Sequence, residues 1–223
     1  MLDCITLDPP SPATACVIWM HGLGADGNDF VPIIPELGLA RDHSVRFVFP
    51  NAPTMPVTIN GGYVMRAWYD IASADIDKRA DEAGVRRSQV SITELIADQR
   101  AKGIAANRIM LAGFSQGGVI ALQTGLRHPE RLAGIMALST YLACAESLGV
   151  EASTANRDLP IFMAHGAMDP VIPMQLAKLS KARMETHGYK IEWHEYGMPH
   201  SVCAEEIEDI SVFLKRILQV AQA

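Results

Sequence analysis

The sequence predicts an α/β fold in which a mainly parallel central sheet carries helices on both faces. Short apolar runs rich in β-branched residues alternate with longer segments of helical period. Most of the short runs are continuously apolar, which is typical of strands covered on both faces. Strands that alternate with helices form mainly parallel sheets, whose active sites lie beyond the carboxyl ends of the strands. We therefore expect reactive residues directly after the strands.

The predicted elements follow one another in a regular order, with two exceptions. The predicted strands are Ala15–Met20, Val45–Phe49, Arg108–Gly113, Gly134–Leu138, Pro160–His165 and Lys190–Tyr196. The predicted helices are Val85–Ala101, Ser115–Arg127, Pro173–Thr186 and Ala204–Ala221. The last helix is amphipathic, because its apolar residues recur at spacings of three and four. The two exceptions are predicted to be long loops, which are often lids or binding loops, and they are Asn51–Ala74 and Tyr141–Arg157.

The composition predicts a single domain over residues 1–223, since a chain of this length can bury one sizeable core. The net charge of −6 argues against nucleic acid and anionic membranes as partners. No apolar run approaches the roughly 20 residues of a membrane span, and the N-terminus lacks the features of a signal peptide. We therefore expect a cytoplasmic protein without integral membrane association. The four cysteines are scattered without a CxxC pair, so we expect reduced thiols.

A candidate nucleophile lies at the junction of a strand and a helix. The strand RIMLAG leads into GFSQGG, and Gly113-Phe114-Ser115-Gln116-Gly117 has the G-x-S-x-G pattern of a nucleophile elbow. The turn is so tight that side chains two residues either side of Ser115 would collide. The strained turn lifts the serine Oγ clear of the backbone. The sequence therefore predicts Ser115 as a catalytic nucleophile.

A serine nucleophile needs a base, and the base needs an orienting acid. In the order Ser…Asp…His the base follows the final strand, which favours His200 among the seven histidines. The acid should follow the strand before that one, and we predict Asp169 over the alternatives Asp158 and Asp209. Metal binding by His21, His165 and His200 is the alternative hypothesis, but no HxH or HExxH spacing supports it. We expect neither a metal nor an organic cofactor.

Two backbone amides are candidates for an oxyanion hole, which acyl chemistry requires. One is the N–H of Gln116, the residue after the nucleophile. The other is the N–H of Leu23, in the glycine-rich segment HGLGADG that follows the first strong strand. The rival interpretation of this segment is a phosphate-binding loop. It lacks the Lys-Ser/Thr of a P-loop and the GxGxxG pattern of a dinucleotide site.

Several segments, which together span nearly the whole chain, resemble one known family; they are WMHGLGADGNDF, FPNAP, INGG, AWYDI, GFSQGG, HGAMDPVIP and YGMPHS. They resemble the carboxylesterase and acyl-protein thioesterase (lysophospholipase-like) family of α/β-hydrolases. AWYDI and PVTINGGY resemble its bacterial carboxylesterase branch. The resemblance implies the α/β-hydrolase fold and a triad at Ser115, Asp169 and His200. It implies an oxyanion hole at Leu23 and Gln116, and an acyl pocket lined around Met65 and Trp68.

The function that we expect is a serine carboxylesterase hydrolysing small to medium acyl esters through an acyl-enzyme intermediate. The alternative with the same chemistry is an acyl-protein thioesterase or lysophospholipase acting on long acyl chains. A non-catalytic binding protein on the same scaffold is a third hypothesis. The complete set of Ser115, Asp169 and His200 argues against it, because a binding protein needs none of them. The expected partner is a small-molecule or lipid ester substrate, and a homodimer is left open.

Overall fold

The computed structural model describes residues 1–73 and 81–220. Its strands are β1 (Cys4–Leu7), β2 (Ala15–Met20), β3 (Val45–Pro50), β4 (Thr54–Val57), β5 (Tyr63–Arg66), β6 (Ile109–Phe114), β7 (Gly134–Leu138), β8 (Ile161–Gly166) and β9 (Ile191–Tyr196). Its α-helices are α1 (Glu82–Ala101), α2 (Gln116–Arg127), α3 (Leu148–Glu151), α4 (Met174–Thr186) and α5 (Ala204–Leu218). The predicted elements are all present, with ends that differ by a few residues. The predicted ends Ala74 and Ala221 lie outside the described residues.

The central sheet has seven strands within the described residues, in the order β1-β3-β2-β6-β7-β8-β9. Every neighbouring pair is parallel except β1 with β3, so the predicted α/β fold with a mainly parallel sheet is confirmed. The edge strand β1 was not predicted. It has only four residues, which are half-buried or exposed, and so it lacks the continuous apolar run of the inner strands.

Both faces of the sheet are buried, which explains why the inner strands are apolar throughout. In β2, Cys16, Ile18 and Met20 join a core cluster with α1 and α2 on one face. The intervening Val17 and Trp19 join a second cluster, with α5, on the other face. Successive side chains of a strand point to opposite faces, so a strand covered twice needs apolar residues at every position. Across the described residues, no helix is long and apolar enough to cross a membrane.

The predicted loop Asn51–Ala74 is more regular than expected, because β4 and β5 pair within it as an antiparallel hairpin. The hairpin is tied to the first glycine-rich loop by the N–H of Gly24, which donates to the carbonyl of Arg66 at 2.9 Å. Arg66 in turn donates from Nη1 to the carbonyl of Ala52 at 3.0 Å. Strands of four residues with a proline at position 56 give little periodicity, which is why the sequence did not predict them.

Candidate active site

Ser115 lies at the carboxyl end of β6, in the sharp turn into α2. Its backbone has φ 55° and ψ −119°, a conformation that residues with a side chain rarely adopt and that costs about 1–3 kcal/mol. The two flanking glycines of the motif make this turn sterically possible. A Cβ on Gly113 would collide with the backbone of Gly117, and a Cβ on Gly117 would collide with the carbonyl of Met20. The strained turn at Ser115 therefore depends on glycine at positions 113 and 117.

The structure brings Ser115, His200 and Asp169 into one hydrogen-bonded chain. The Nε2 atom of His200 lies 3.0 Å from Ser115 Oγ, and its Nδ1 atom lies 2.6 Å from Asp169 Oδ2. The carboxylate can only accept, so we assign the proton of the neutral imidazole to Nδ1, which leaves the Nε2 lone pair facing the serine hydroxyl. This arrangement can remove a proton from Ser115 Oγ and stabilise the resulting imidazolium.

The carboxylate of Asp169 is fully buried and held on both of its oxygens. Oδ1 accepts hydrogen bonds from the backbone N–H groups of Val171 and Ile172, at 2.8 and 2.9 Å. The two competing acids are engaged elsewhere. Asp158 is exposed and pairs with Arg131, and Asp209 accepts from the hydroxyl of Tyr196 at 2.7 Å. Of these three acids, all within the described residues, Asp169 is the one that hydrogen-bonds His200.

The candidate oxyanion residues Leu23 and Gln116 lie in the wall of the same cavity as Ser115. Within the described residues, neither backbone N–H has an acceptor. The side chain of Gln116 has a different task. It accepts from the N–H of Trp68 at 3.0 Å and donates to the carbonyl of Tyr69 at 2.9 Å. These bonds hold the segment after β5 against the start of α2, beside the nucleophile.

The cavity beside Ser115 has a volume of about 360 Å³ and is predominantly apolar. Leu23, Ile59, Ile71 and Val171 contribute aliphatic surface, and Phe114 and two tyrosines contribute aromatic surface. A cavity of this size and lining accommodates a small or medium hydrocarbon chain next to the reactive serine. Val171 and Ile172, two and three residues after Asp169, also line it, so the loop that holds the acid shapes the pocket.

Met65 and Trp68, the predicted acyl-pocket residues, are not among the residues that line this cavity. The loop contributes to the wall through Ile59, Asn60, Tyr69 and Ile71. Trp68 is 2% exposed and donates from Nε1 to the carbonyl of His21 at 2.9 Å. Met65 lies in the hairpin strand β5, where its sulfur contacts Asn60 Nδ2 at 3.5 Å. Trp68 therefore anchors the loop in the core, and Tyr69 and Ile71, which follow it, line the cavity.

Replacing Trp68 by alanine is expected to lower the free energy of unfolding by about 3–5 kcal/mol, the usual cost of removing a large buried aromatic side chain. The substitution is destabilising for two reasons: it leaves a cavity, and it removes the hydrogen bond to the carbonyl of His21. A denaturant titration measures the change. We expect Met65→Ala, the control from the same loop, to cost clearly less, because Met65 is only half-buried. Equal midpoints for the two variants would contradict the anchoring role.

Two pocket residues that the sequence did not single out are Tyr69 and Tyr141. Their hydroxyl oxygens lie 3.0 Å apart and both side chains line the cavity. Tyr141 also lines a second cavity of about 400 Å³, together with Leu142 and Leu176. The sequence could have indicated Tyr141 as a site residue, since it follows β7 at the carboxyl edge of the sheet. Phe114 also lies here, with its ring centroid 4.7 Å from that of His200.

The metal hypothesis finds no donor set in the part of the chain that the structure describes, where no three His, Cys, Asp or Glu residues cluster to hold an ion. Both ring nitrogens of His21 are engaged with backbone groups. Nδ1 lies 2.7 Å from the carbonyl of Gly22, and Nε2 accepts from the N–H of Ala52 at 3.0 Å. Burial lowers the pKa of His21, which keeps this imidazole neutral. His21 therefore braces the glycine-rich loop.

The chain is similar to known proteins of one family. Residues 4–218 match the phospholipase/carboxylesterase family. The chain is 39% identical over 218 residues to acyl-protein thioesterase 1 of Neurospora crassa, covering 93% of this chain and 89% of that one. It is 38% identical to acyl-protein thioesterase 1 of Yarrowia lipolytica, covering 93% and 97%. The crystal structure of Arabidopsis thaliana SOBER1 superposes with a TM-score of 0.87 at 28% identity, covering 92% and 99%.

Proposed function

Because this chain belongs to the phospholipase/carboxylesterase family and is a serine hydrolase, we propose that it cleaves acyl thioesters with Ser115 as its nucleophile. The observation that carries this proposal is the hydrogen-bonded chain of Ser115, His200 and Asp169 beside an apolar cavity. The fungal relatives are named acyl-protein thioesterases. We therefore favour this substrate class over the bacterial carboxylesterase branch that the sequence motifs suggested.

The proposed reaction has two halves. His200 Nε2 takes the proton of Ser115 Oγ as that oxygen attacks the acyl carbonyl carbon, and Asp169 stabilises the imidazolium. The backbone N–H groups of Leu23 and Gln116 stabilise the tetrahedral oxyanion. Its collapse breaks the carbon–sulfur bond, and the leaving thiolate takes the proton from His200. Water then attacks the acyl-serine, again with His200 as base, and releases the carboxylic acid and the free Ser115 hydroxyl.

The second candidate function is hydrolysis of small to medium acyl oxygen esters by the same residues. The cavity favours this function, since its volume of about 360 Å³ lies near the lower end of the volumes of ligand pockets. Its wall includes Tyr69 and Tyr141, whose hydroxyl groups are hydrogen-bonded to each other. The two candidates differ in acyl length and leaving group and share the nucleophile. A substrate panel therefore separates them without touching the triad.

The experiment is a matched panel of thioesters and oxygen esters whose acyl chains run from acetyl to palmitoyl, with an S-acylated peptide included. We expect higher kcat/KM for thioesters at each length and measurable deacylation of the peptide. Preference for short oxygen esters with no peptide deacylation would replace the first candidate by the second. An absence of turnover with every substrate, in protein with a native circular dichroism spectrum, would contradict both candidates.

Replacing Tyr141 by alanine is expected to move the kcat/KM optimum to longer acyl chains. The ring of Tyr141 contacts both cavities, so its removal would extend the space beside Ser115 toward the second cavity. Burying each further methylene is worth about 0.8 kcal/mol, so a few of them should raise the ratio of long-chain to short-chain kcat/KM about tenfold or more. Tyr141→Phe keeps the ring and serves as the control. An unchanged optimum in the alanine variant would show that Tyr141 does not limit chain length.

A further inference from the structure

His165 is a second buried histidine beside Asp169 that the proposed reaction does not use. It is the penultimate residue of β8 and is fully buried. Its Nε2 atom lies 2.8 Å from the carbonyl oxygen of Ile172 and 3.5 Å from Asp169 Oδ2. Both partners are acceptors, so we assign the imidazole proton to Nε2, from which it donates to Ile172.

The other ring nitrogen, Nδ1, is also buried, and it has no hydrogen-bond partner within the described residues. A buried polar atom without a partner costs about 1–3 kcal/mol. A methionine of similar size would fill the same space without this cost. The unpartnered Nδ1 therefore destabilises the fold. The atom of this side chain that forms a hydrogen bond is the donor Nε2.

We propose that His165 is a positioning residue that holds Asp169 in line with His200. Ile172 is the link between the two, because its carbonyl accepts from His165 while its N–H donates to Asp169 Oδ1 at 2.9 Å. The turn from Asp169 to Ile172 is thus fixed at its far end by β8. With Oδ1 held inside the turn, Oδ2 faces His200 Nδ1 at 2.6 Å. This inference rests on the proposed roles of Asp169 and His200.

Charge explains why a neutral imidazole suits this position. The ionisable groups around His165 are Asp169, His200 and Glu195, the last on the neighbouring strand β9. Burial lowers the pKa of His165, so this imidazole stays neutral. A cation at His165 would compete with the imidazolium of His200 for Asp169 Oδ2. Neutral His165 supplies a hydrogen-bond donor to the acid loop without adding a second positive charge.

The test compares His165→Gln with His165→Met in the full chain. Glutamine places an amide donor near the position of Nε2 and lacks the unpartnered Nδ1, whereas methionine fills the space without a donor. We expect the methionine variant to lose about 10²-fold in kcat with little change in KM, because small misplacements of a catalytic group have costs of this order. The acidic limb of its kcat/KM–pH profile should move to lower pH. The glutamine variant should stay within a few-fold of wild type.

A double-mutant cycle with Asp169→Asn distinguishes positioning from a purely structural role. If His165 acts through Asp169, His165→Met should cost no further activity once Asp169 is asparagine. Full additivity, or wild-type kcat and pH profile in folded His165→Met, would overturn the proposal. Should that variant fail to fold, His165→Asn replaces it, since the shorter amide does not reach Ile172. Failure of the proposed function is separate, because it would appear in the wild type as an absence of turnover with every substrate of the panel, or as retained activity after Ser115→Ala.

Discussion

Replacing Ser115 by alanine is expected to lower turnover by about 10⁵–10⁶-fold while the protein stays folded, as in serine hydrolases that lose their nucleophile. The substitution removes the oxygen that lies 3.0 Å from His200 Nε2 and leaves no atom able to form the acyl-enzyme. Alanine keeps the Cβ, so the strained backbone at φ 55° is not strained further. Steady-state kinetics with the best substrate of the panel measure the loss.

The matched control for this prediction is Ser91→Ala on helix α1. Within the described part of the chain its hydroxyl bonds only to the helix backbone, at the carbonyl of Arg87, and Ser91 is not among the residues that line the cavity. A fluorophosphonate probe should label the wild type and this control but not Ser115→Ala. Near-native turnover by Ser115→Ala, with a native circular dichroism spectrum, would mean that another residue is the nucleophile.

Replacing Asp169 by asparagine is expected to lower kcat by about 10²–10⁴-fold with little change in KM. The surroundings determine how the amide must lie. Two backbone N–H groups donate to Oδ1, so the amide oxygen stays there and the NH₂ group replaces Oδ2 opposite His200. That NH₂ group donates to Nδ1 and moves the imidazole proton to Nε2. The tautomer that results cannot accept the proton of Ser115.

Asp158→Asn and Asp209→Asn are the controls, since these were the competing acids. Asp158 is exposed and pairs with Arg131, and Asp209 bonds the hydroxyl of Tyr196. Both variants should keep kcat within a few-fold of wild type. A loss in Asp209→Asn that equals or exceeds the loss in Asp169→Asn would move the role of the acid to Asp209. Measuring kcat and KM separately matters, because a misfolded pocket would raise KM as well.

The parts that the sequence predicted well are those that depend on neighbours along the chain. The inner strands are continuously apolar because each is covered on both faces, and the structure confirms this at β2. The elbow at Ser115 depends on Gly113 and Gly117, whose steric roles operate within one turn. The elbow can therefore be recognised from five consecutive residues of the sequence.

The sequence is least informative where a side chain's neighbours come from distant segments. The sequence predicts Trp68 as a pocket residue. Its backbone N–H and its Nε1 bond Gln116, the first residue of α2, and His21, the residue after β2, and its side chain is buried. Tyr69, its neighbour, lines the cavity, and its hydroxyl oxygen lies 3.0 Å from that of Tyr141. Nothing in the local pattern separates these two aromatics, because both fit a loop with an apolar anchor.

By itself, the sequence determined the α/β fold class, the position of the elbow and the chain order of the three reactive residues, because steric limits and hydrophobic periodicity act over a few residues. The tertiary structure decided which loop residues face the substrate and which are buried. It also showed that Ile172 connects His165 to Asp169. Burial and hydrogen-bond partners are set by segments far apart in the chain, and they exist only once those segments have packed together.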